Sequence, residues 1–280
     1  MATSAPTPLG PADIPACLAF SAEAGWNQTA ADWALMLSAG RGVGIVTDRL
    51  IATAAIVPYE GFGWISMVFV AQSERRRGHA RTLMEWAVAA HREAGRVPAL
   101  DATPAGREVY RRMGFTRVCD ATRYEGIGGR EDGVSPSYIV PATGDDLAAI
   151  IAYDAQYFGV ERGTILAALL ARSTTFAAVA RENGRITGYV IGRNGTRATQ
   201  IGPLVADREA DAAALLSTAL SRIDGPVFVD VMDRHEAVGE SLTRRGFAVQ
   251  RRFERMAYGD TEGRVRDAPE IVAIAGPELG

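Results

Sequence analysis

Hydrophobic residues recur along the first half of the chain with two different periods, and these predict alternating helices and strands. A spacing of three to four residues predicts helices over 12–24 and 29–39. Apolar runs bounded by turn residues then predict strands over 43–47, 50–57 and 64–70. The elements predicted after them are a helix over 76–94, a strand over 98–101, a helix ending at Met113, and strands over 115–119 and 122–126.

The second half of the chain repeats this order of elements. Two Gly-Phe pairs, at Gly114 and Gly246, lie 132 positions apart, and the strand ends Val70 and Val205 lie 135 positions apart. Such a near-constant offset predicts a duplicated fold; the alternative is two unrelated α/β halves that share a common order. The predicted elements are helices over 143–153 and 161–171, strands over 175–181, 185–193 and 199–205, a helix over 207–221, a strand over 226–231, a helix over 236–245 and a strand over 247–251.

A Gly-rich polar stretch over 126–136 separates the two halves and is typical of a linker. With 280 residues, 48% of them hydrophobic, the chain is long enough for two domains that each bury a core. The sequence therefore predicts domains at 1–130 and 137–280.

Composition and charge narrow the location and the partners. The chain contains no apolar run long enough to span a membrane, and its first residues lack the basic and apolar segments of a secretion signal, so we expect a cytoplasmic protein. A net charge of −3 argues against a nucleic-acid surface. The two cysteines and three histidines are scattered, which predicts reduced thiols and no metal site. Monomer and homodimer both stay open.

The most informative stretch joins an apolar strand to a helix through a short turn rich in Arg and Gly. The first N–H groups of a helix have no partner within it, and together with the helix dipole they attract anions. Gly78 lets a ligand approach the backbone, and the neighbouring guanidinium groups add permanent positive charge. We therefore expect a pyrophosphate here rather than a merely solvated helix start. The expected site consists of Arg75, Arg76, Arg77, Gly78, His79, Ala80 and Arg81.

Two motifs in the first half resemble one protein family. The spacing Arg75-x-x-Gly78-x-Ala80 resembles the acetyl-CoA signature of the GNAT superfamily of N-acetyltransferases. Further along, Tyr110-Arg-Arg-Met-Gly-Phe115 resembles the family segment in which a Tyr precedes Gly-Phe by a few residues.

Blocks over 25–33, 100–107 and 274–280 extend the resemblance to nearly the whole chain. The chain is similar to two-domain GNAT proteins in which a standard N-terminal acetyltransferase is followed by a degenerate GNAT-like domain. The resemblance implies an α/β (α+β) fold class with tandem GNAT folds, each a mixed, mostly antiparallel twisted sheet flanked by helices.

The resemblance also implies acetyl-CoA as the co-substrate and no metal. Backbone groups of Val68, Phe69 and Val70 would bond to its pantetheine, and Tyr110 would act as general acid toward the departing thiolate. A packing role is the alternative for Tyr110. Many relatives hold the pantetheine with an Asn where this chain has Thr103, whose hydroxyl either substitutes for it or caps the following helix.

The resemblance itself identifies no acceptor; we expect the amine of a small molecule. Trp26 and Asn27 lie in the region that covers the substrate end of such folds, and the N–H of Met67 or Val68 is a candidate for stabilising the oxyanion. Asp101, at a strand end, is a candidate base; the alternative is a structural carboxylate.

The second half lacks the residues of this chemistry. Acidic Asp207, Glu209 and Asp211 stand where the phosphate-binding turn is expected, and they would repel a pyrophosphate. The sequence therefore predicts one catalytic domain that transfers an acetyl group directly to an amine, with the second domain shaping the cleft. The alternatives are a non-catalytic acyl-CoA or metabolite sensor and, third, transfer to a hydroxyl.

Overall fold

The computed structural model of the chain describes residues 5–129, 135–173, 175–260 and 262–280. Most of the predicted linker, residues 130–134, lies outside the described residues, and the division into 1–130 and 137–280 stays a prediction. The helices are α1 (Ile14–Glu23), α2 (Ala30–Ala39), α3 (His79–Glu93), α4 (Pro104–Arg112), α5 (Leu147–Phe158), α6 (Gly163–Arg172), α7 (Glu209–Ser221) and α8 (Glu236–Arg244). The strands are β1 (Thr7–Leu9), β2 (Arg41–Val46), β3 (Leu50–Pro58), β4 (Phe62–Val70), β5 (Val97–Ala102), β6 (Phe115–Ile127), β7 (Ile139–Pro141), β8 (Ala178–Glu182), β9 (Arg185–Asn194), β10 (Thr199–Ala206), β11 (Pro226–Met232), β12 (Ala248–Tyr258) and β13 (Ile271–Ala273).

All of these strands belong to one open sheet. Its order is β1-β2-β3-β4-β5-β12-β6-β11-β13-β10-β9-β8-β7. The pairs β4–β5 and β10–β11 are parallel, and the other pairs are antiparallel. The mixed, mostly antiparallel architecture is confirmed, and the sheets of the two halves are joined edge to edge.

Each half contributes its last long strand to the sheet of the other half. β12, from the second half, lies between β5 and β6 of the first and pairs with both. β6 in turn pairs with β11 of the second half, with Tyr124 opposite Val229. The two exchanged strands therefore lie side by side near the centre of the sheet, and each half obtains one strand from the other.

Two buried ion pairs cross this exchange at equivalent positions. Arg123 on β6 forms a bidentate pair with Asp230 on β11, at 2.7 Å to each carboxylate oxygen. Arg255 on β12 forms the same pair with Asp101 on β5, at 2.9 and 3.0 Å. Removing one partner from such a pair leaves an uncompensated charge in the interior. The two pairs therefore fix the exchanged strands beside their new neighbours.

Helices cover both faces of the sheet. α1, α2, α5 and α6 pack on one face over a core that includes Trp33 and Trp64. α3 and α4 pack on the other face of the first half, and α7 and α8 pack on that face of the second half. Strand side chains alternate between the faces, so that Trp64 enters one core and Ile65 the other. No helix within the described residues is long and apolar enough to cross a membrane.

Two strands are longer than the sequence indicates. A break was expected between the strands over 115–119 and 122–126, but β6 runs through it. β12 lies along one side of β6 and β11 along part of the other, and this pairing keeps β6 extended through the predicted break. β12 likewise continues past the predicted end at Arg251, because β5 and β6 pair with its second half. The three-residue strands β1, β7 and β13 were not predicted, since they are too short to show a period.

His91 lies buried where α3 packs on the sheet. Its ring occupies the space over Gly63 of β4, where a Cβ atom would lie only 2.0 Å from the nearest ring atom. Burial lowers the pKa of His91 from 6.5 to about 4. The folded protein therefore keeps the imidazole neutral at pH values where the unfolded chain binds a proton.

The first prediction concerns the two buried ion pairs that hold the exchanged strands. Arg255→Met leaves the Asp101 carboxylate buried without its partner, and we expect the free energy of unfolding to fall by about 3–5 kcal/mol. Urea denaturation measures the loss. The double variant Arg255→Met/Asp101→Leu should recover most of it. Arg117→Gln, which breaks the exposed pair of Arg117 with Asp120, should cost less than about 1 kcal/mol. Equal losses in the two single variants would contradict the assigned role.

The second prediction concerns the pH dependence of the unfolding free energy. Because the folded-state pKa of His91 lies below the unfolded value, its contribution to stability is complete above about pH 6.5 and is lost as the pH falls toward 4. We expect unfolding free energies at pH 7 and pH 5 to differ by about 2 kcal/mol more in the wild type than in His91→Phe. Denaturant titrations at both pH values give this difference. The same pH dependence in both proteins would show that His91 titrates normally.

Candidate active site

A cleft opens in the first half where β4 and β5 diverge. The two strands pair only between Phe62–Trp64 and Val97–Ala99, close to the start of each. Beyond this point the structure contains a cavity of about 110 Å³. The cavity is lined by Trp26, Gln28, Ile65, Ser66, Met67, Val68, Leu100, Asp101, Thr103, Tyr110, Arg123, Arg251, Phe253, Pro277 and Glu278.

β4 contains a bulge beside this cleft. Met67 has a φ of 54°, which is unusual for a residue other than glycine, and the register with β3 shifts between Thr53 and Ala55. The Thr53 hydroxyl donates a hydrogen bond of 3.0 Å to the Met67 carbonyl and holds the bulge in place. Met67 and Val68, the two candidates for stabilising the oxyanion, both line the cavity. Phe69 and Val70 are paired with β3 instead and lie outside the cavity lining.

The turn between β4 and α3 presents unpartnered N–H groups. Arg76 and Gly78 have φ values of 63° and 89°, and this left-handed geometry reverses the chain into α3. A Cβ added to Gly78 would meet no atom within 4 Å, so the space beside its backbone is open. In the described part of the chain no acceptor bonds to the N–H groups of His79, Ala80 or Arg81. These donors converge at a helix N-terminus, which is the geometry that binds phosphate groups.

The arginines around this turn differ in their contacts. Arg75 donates to the Val70 carbonyl at 3.2 Å, while Arg77 pairs with Glu74 at 3.0 Å. Arg81 pairs with Glu85 at 2.7 Å and is strongly exposed. Arg76 has no ion-pair partner among the described residues. Exposed pairs of this kind contribute little to stability and can exchange for a ligand phosphate.

Tyr110 points into the cleft from α4. Its ring lies over Gly106, one turn earlier, where a Cβ atom would come within 2.8 Å, and its centroid lies 6.0 Å from that of Phe115. Burial raises the pKa of Tyr110 to about 12. The hydroxyl therefore stays protonated at neutral pH, and it is a weaker acid than an exposed tyrosine, so it can give its proton only to a strongly basic group beside it.

Thr103 lies at the N-terminus of α4. Its two predicted roles were capping this helix and bonding to the pantetheine. Its side chain makes no capping hydrogen bond to the helix. It lines the cavity instead. The hydroxyl is thus available to a molecule in the cleft.

Asp101 lines the cleft, but its carboxylate is already occupied. Both oxygens accept hydrogen bonds from Arg255, whose guanidinium also lies 4.6 Å from the centroid of the Trp64 ring. Burial raises the pKa of Asp101, and the adjacent Arg255 opposes that rise. This geometry corresponds to the structural carboxylate, the alternative to a free base at this position.

The predicted acceptor residues separate into two groups. Trp26 lines the cavity and packs edge-on against Phe69 at 5.9 Å. Asn27 does not line the cavity. Its amide donates to the Ala198 carbonyl at 2.9 Å and accepts from the N–H groups of Arg197 and Ala198. Asn27 was expected to bind substrate, but the structure commits it to holding the β9–β10 turn of the second half.

Sequence reasoning missed the part of the cleft that comes from distant segments. Gln28, Arg123, Arg251, Phe253, Pro277 and Glu278 form this wall. Arg251 and Phe253 reach the cleft only because β12 is inserted beside β5, which no local pattern predicts. Segment 274–280 was recognised as a family block, and this was the one available signal for Pro277 and Glu278.

The equivalent cleft of the second half is closed. β10 and β11 are parallel only over Thr199–Ile201, and β13 lies between them further along, with Leu204 and Val231 both opposite Ala273. At the start of α7, Asp207 accepts hydrogen bonds from the hydroxyls of Tyr153 and Tyr157. In the second half, β13 therefore fills the gap that forms the cleft in the first half. An acidic helix start stands where a pyrophosphate would bind.

Both halves of the chain match the same kind of domain in known proteins. Residues 39–117 and 150–268 each match a family model described as an acetyltransferase (GNAT) domain. An uncharacterized N-acetyltransferase, YitH from Bacillus subtilis (strain 168), is 22% identical over 238 residues, which are 82% of this chain and 83% of the relative.

Solved structures share the fold over most of the chain. A presumed acetyltransferase from Pyrococcus horikoshii superposes with a TM-score of 0.81 at 18% identity, covering 98% of this chain and 95% of that one. A tandem GNAT protein from the clavulanic acid biosynthesis pathway superposes with a TM-score of 0.61 at 14% identity, covering 90% and 97%. At these identities the likeness establishes the fold alone. With both halves matched by GNAT models, the chain belongs to the GNAT acetyltransferase family and carries two GNAT domains in tandem.

Proposed function

We propose that the protein transfers an acetyl group from acetyl-CoA to the amine of a small molecule in the cleft of the first half. The observation that carries this proposal is that β4 connects the cleft to the phosphate-binding turn. β4 leads from the bulge at Met67 directly into the turn at Gly78, so that the cleft holding Tyr110 and an anion-binding helix start are joined. The cavity is small, which favours a small acceptor.

The residues present fit acetyl-CoA as the co-substrate. The free N–H groups at the start of α3 suit a pyrophosphate, and Arg76 adds an unpaired cation beside them. Val68 and Thr103 line the cleft, where the Val68 backbone and the Thr103 hydroxyl can bond to the amides of a pantetheine arm. Acetyl-CoA supplies the thioester, and the proposed chemistry requires no metal ion.

The transfer is direct attack of the amine on the thioester. The ammonium group first loses one proton, because only the neutral amine has a free electron pair. Its nitrogen bonds to the thioester carbon, and a backbone N–H near Met67 stabilises the negative charge that develops on the oxygen. The carbon–sulfur bond then breaks, and Tyr110 gives its proton to the departing thiolate. The second proton leaving the nitrogen restores the Tyr110 hydroxyl, so that one proton is released for each amide formed.

In this proposal the second half shapes the cleft and does no chemistry of its own. Asp101 acts through its pair with Arg255, which keeps β12 beside β5 and so positions the wall opposite β4. The proton from the ammonium group leaves through another group or through water.

The third prediction tests Tyr110. In Tyr110→Phe the ring and its packing remain while the proton donor is lost, and we expect kcat to fall by about 10²–10⁴-fold with little change in KM for acetyl-CoA. Thiol release from acetyl-CoA with a panel of amines measures the rate, and product mass shows whether nitrogen or oxygen is acetylated. Tyr258→Phe is the matched control, because Tyr258 packs against Phe115 but does not line the cavity. Tight CoA binding with no turnover on any amine would instead favour the non-catalytic sensor.

The fourth prediction tests the phosphate-binding turn. Gly78→Ala places a methyl group in the open space beside the helix start and strains a residue whose φ is 89°. We expect the Kd for CoA, measured by calorimetry, to rise about tenfold or more. Gly184→Ala is the control, since Gly184 has a φ of 77° and equally open surroundings in the second half. It should show the same backbone strain with unchanged CoA affinity. If both variants bind CoA like the wild type, the diphosphate does not lie against Gly78.

A further inference from the structure

Arg251 is a cation in the cleft that forms no ion pair with any of the described residues. It lies on β12 directly opposite Arg123 on β6, and a bulge at Gln250 precedes it. Both arginines line the cavity. Like charges facing each other across a strand pair are destabilising unless something neutralises them.

The nearest carboxylate is already in use. Asp230 holds Arg123 through both oxygens, and one of these also accepts a hydrogen bond of 3.1 Å from Gln200. No hydrogen bond or ion pair reaches the Arg251 side chain from any described residue. Partial burial lowers the pKa of Arg251, and the neighbouring Arg123 and Arg197 lower it further, while Asp230 partly opposes this effect. The half-buried guanidinium therefore has its hydrogen-bond donors free and faces a cavity.

Another part of the same cavity offers hydrogen-bond acceptors, which suit a positively charged group. Glu278 is 2% exposed and Gln28 is 5% exposed, and both line the cleft. Arg193 donates to the Oε1 atom of Glu278, whereas Oε2 of Glu278 and Oε1 of Gln28 have no hydrogen-bond partner. Both free atoms are acceptors. Buried acceptors without donors are costly, which indicates that a ligand donor completes them.

We propose that the acceptor amine also carries a carboxylate, so that the substrates are amino acids or closely similar zwitterions. The ammonium group donates to Glu278 and Gln28, and the carboxylate binds the guanidinium of Arg251. The apolar residues Trp26, Phe253 and Pro277 also line the cavity and suit a short hydrocarbon side chain of the substrate. The inference rests on the proposed function and names the substrate class for the same site.

The charges around the cleft support the position proposed for the substrate carboxylate. Glu278 shares Arg193 with Asp32, and Arg172 also pairs with Asp32, so two carboxylates and two guanidinium groups balance at that end. At the other end Arg123 and Asp230 balance each other. Among the described residues at this end, Arg251 and Arg197 are left without a carboxylate partner, but only Arg251 lines the cavity, where a substrate carboxylate would neutralise it.

The test compares each of a set of amino acids with its carboxamide, which keeps the amine and removes only the negative charge. Thiol release from acetyl-CoA gives kcat and KM for both. We expect amino acids to be acetylated with a KM about tenfold or more below that of their amides. In Arg251→Gln the KM for amino acids should rise to the value for the amides, and KM for acetyl-CoA should not change. Arg252→Gln is the matched control, because Arg252 is the next residue along β12, is exposed and does not line the cavity.

A second readout does not depend on turnover. The thermal unfolding midpoint of the wild type should rise with amino acids and not with their amides, and Arg251→Gln should abolish that shift. If amides are acetylated as well as amino acids, or if Arg251→Gln changes neither KM nor the shift, the inference is wrong while the proposed function stands. If amino acids shift the midpoint through Arg251 and no amine is acetylated, the binding site is supported and the proposed function fails. If amino acids neither shift the midpoint nor react, the inference is overturned.

Discussion

The pairing of β6 with β12 at the middle of the sheet is the constraint on which the rest of the molecule depends. Each strand belongs to one half of the sequence but lies beside the fifth strand of the other, and a buried arginine on each binds a buried aspartate across that contact. The two halves consequently share one hydrogen-bonded sheet. A carboxylate that the sequence alone makes a candidate base, Asp101, is used to hold this exchange, and the wall of the cleft opposite β4 is built from the strand so held.

The same geometry explains why one half has an open cleft and the other has none. In both halves the fourth and fifth strands are parallel for three residues and then separate, which leaves a gap. In the second half β13 enters the gap as an added strand and satisfies the exposed backbone groups. The chain then continues past Ala273 into the first half, where Trp64 donates to the Pro277 carbonyl and Tyr59 donates to the Leu279 carbonyl. A single segment thus fills one cleft and completes the wall of the other.

Local sequence signals predicted what local structure determines. The order of helices and strands, the turn around Gly78 and the helix carrying Tyr110 depend on residues close together in sequence. The start of α3 lies at His79, three residues after the predicted start at residue 76. The exchange of β6 and β12 depends on contacts more than a hundred residues apart, so the unbroken course of β6 through Asp120 and the extension of β12 beyond Arg251 were not visible. Asn27 was misplaced for the same reason, because its partners lie on a turn of the other half.

The strand exchange also has a consequence for how the chain is made. Synthesis proceeds from the N-terminal end, so β5 and β6 leave the ribosome long before β12 exists to separate them. Until residues 248–258 emerge, β5 presents an unpaired edge, the kind of exposed surface that promotes misassembly in nascent multidomain chains. Long-range pairing of this kind also slows folding, because a large loop must close before its contacts form. The N-terminal half therefore acquires a complete cleft only after β12 has been synthesised, and products that lack β12 would lack it.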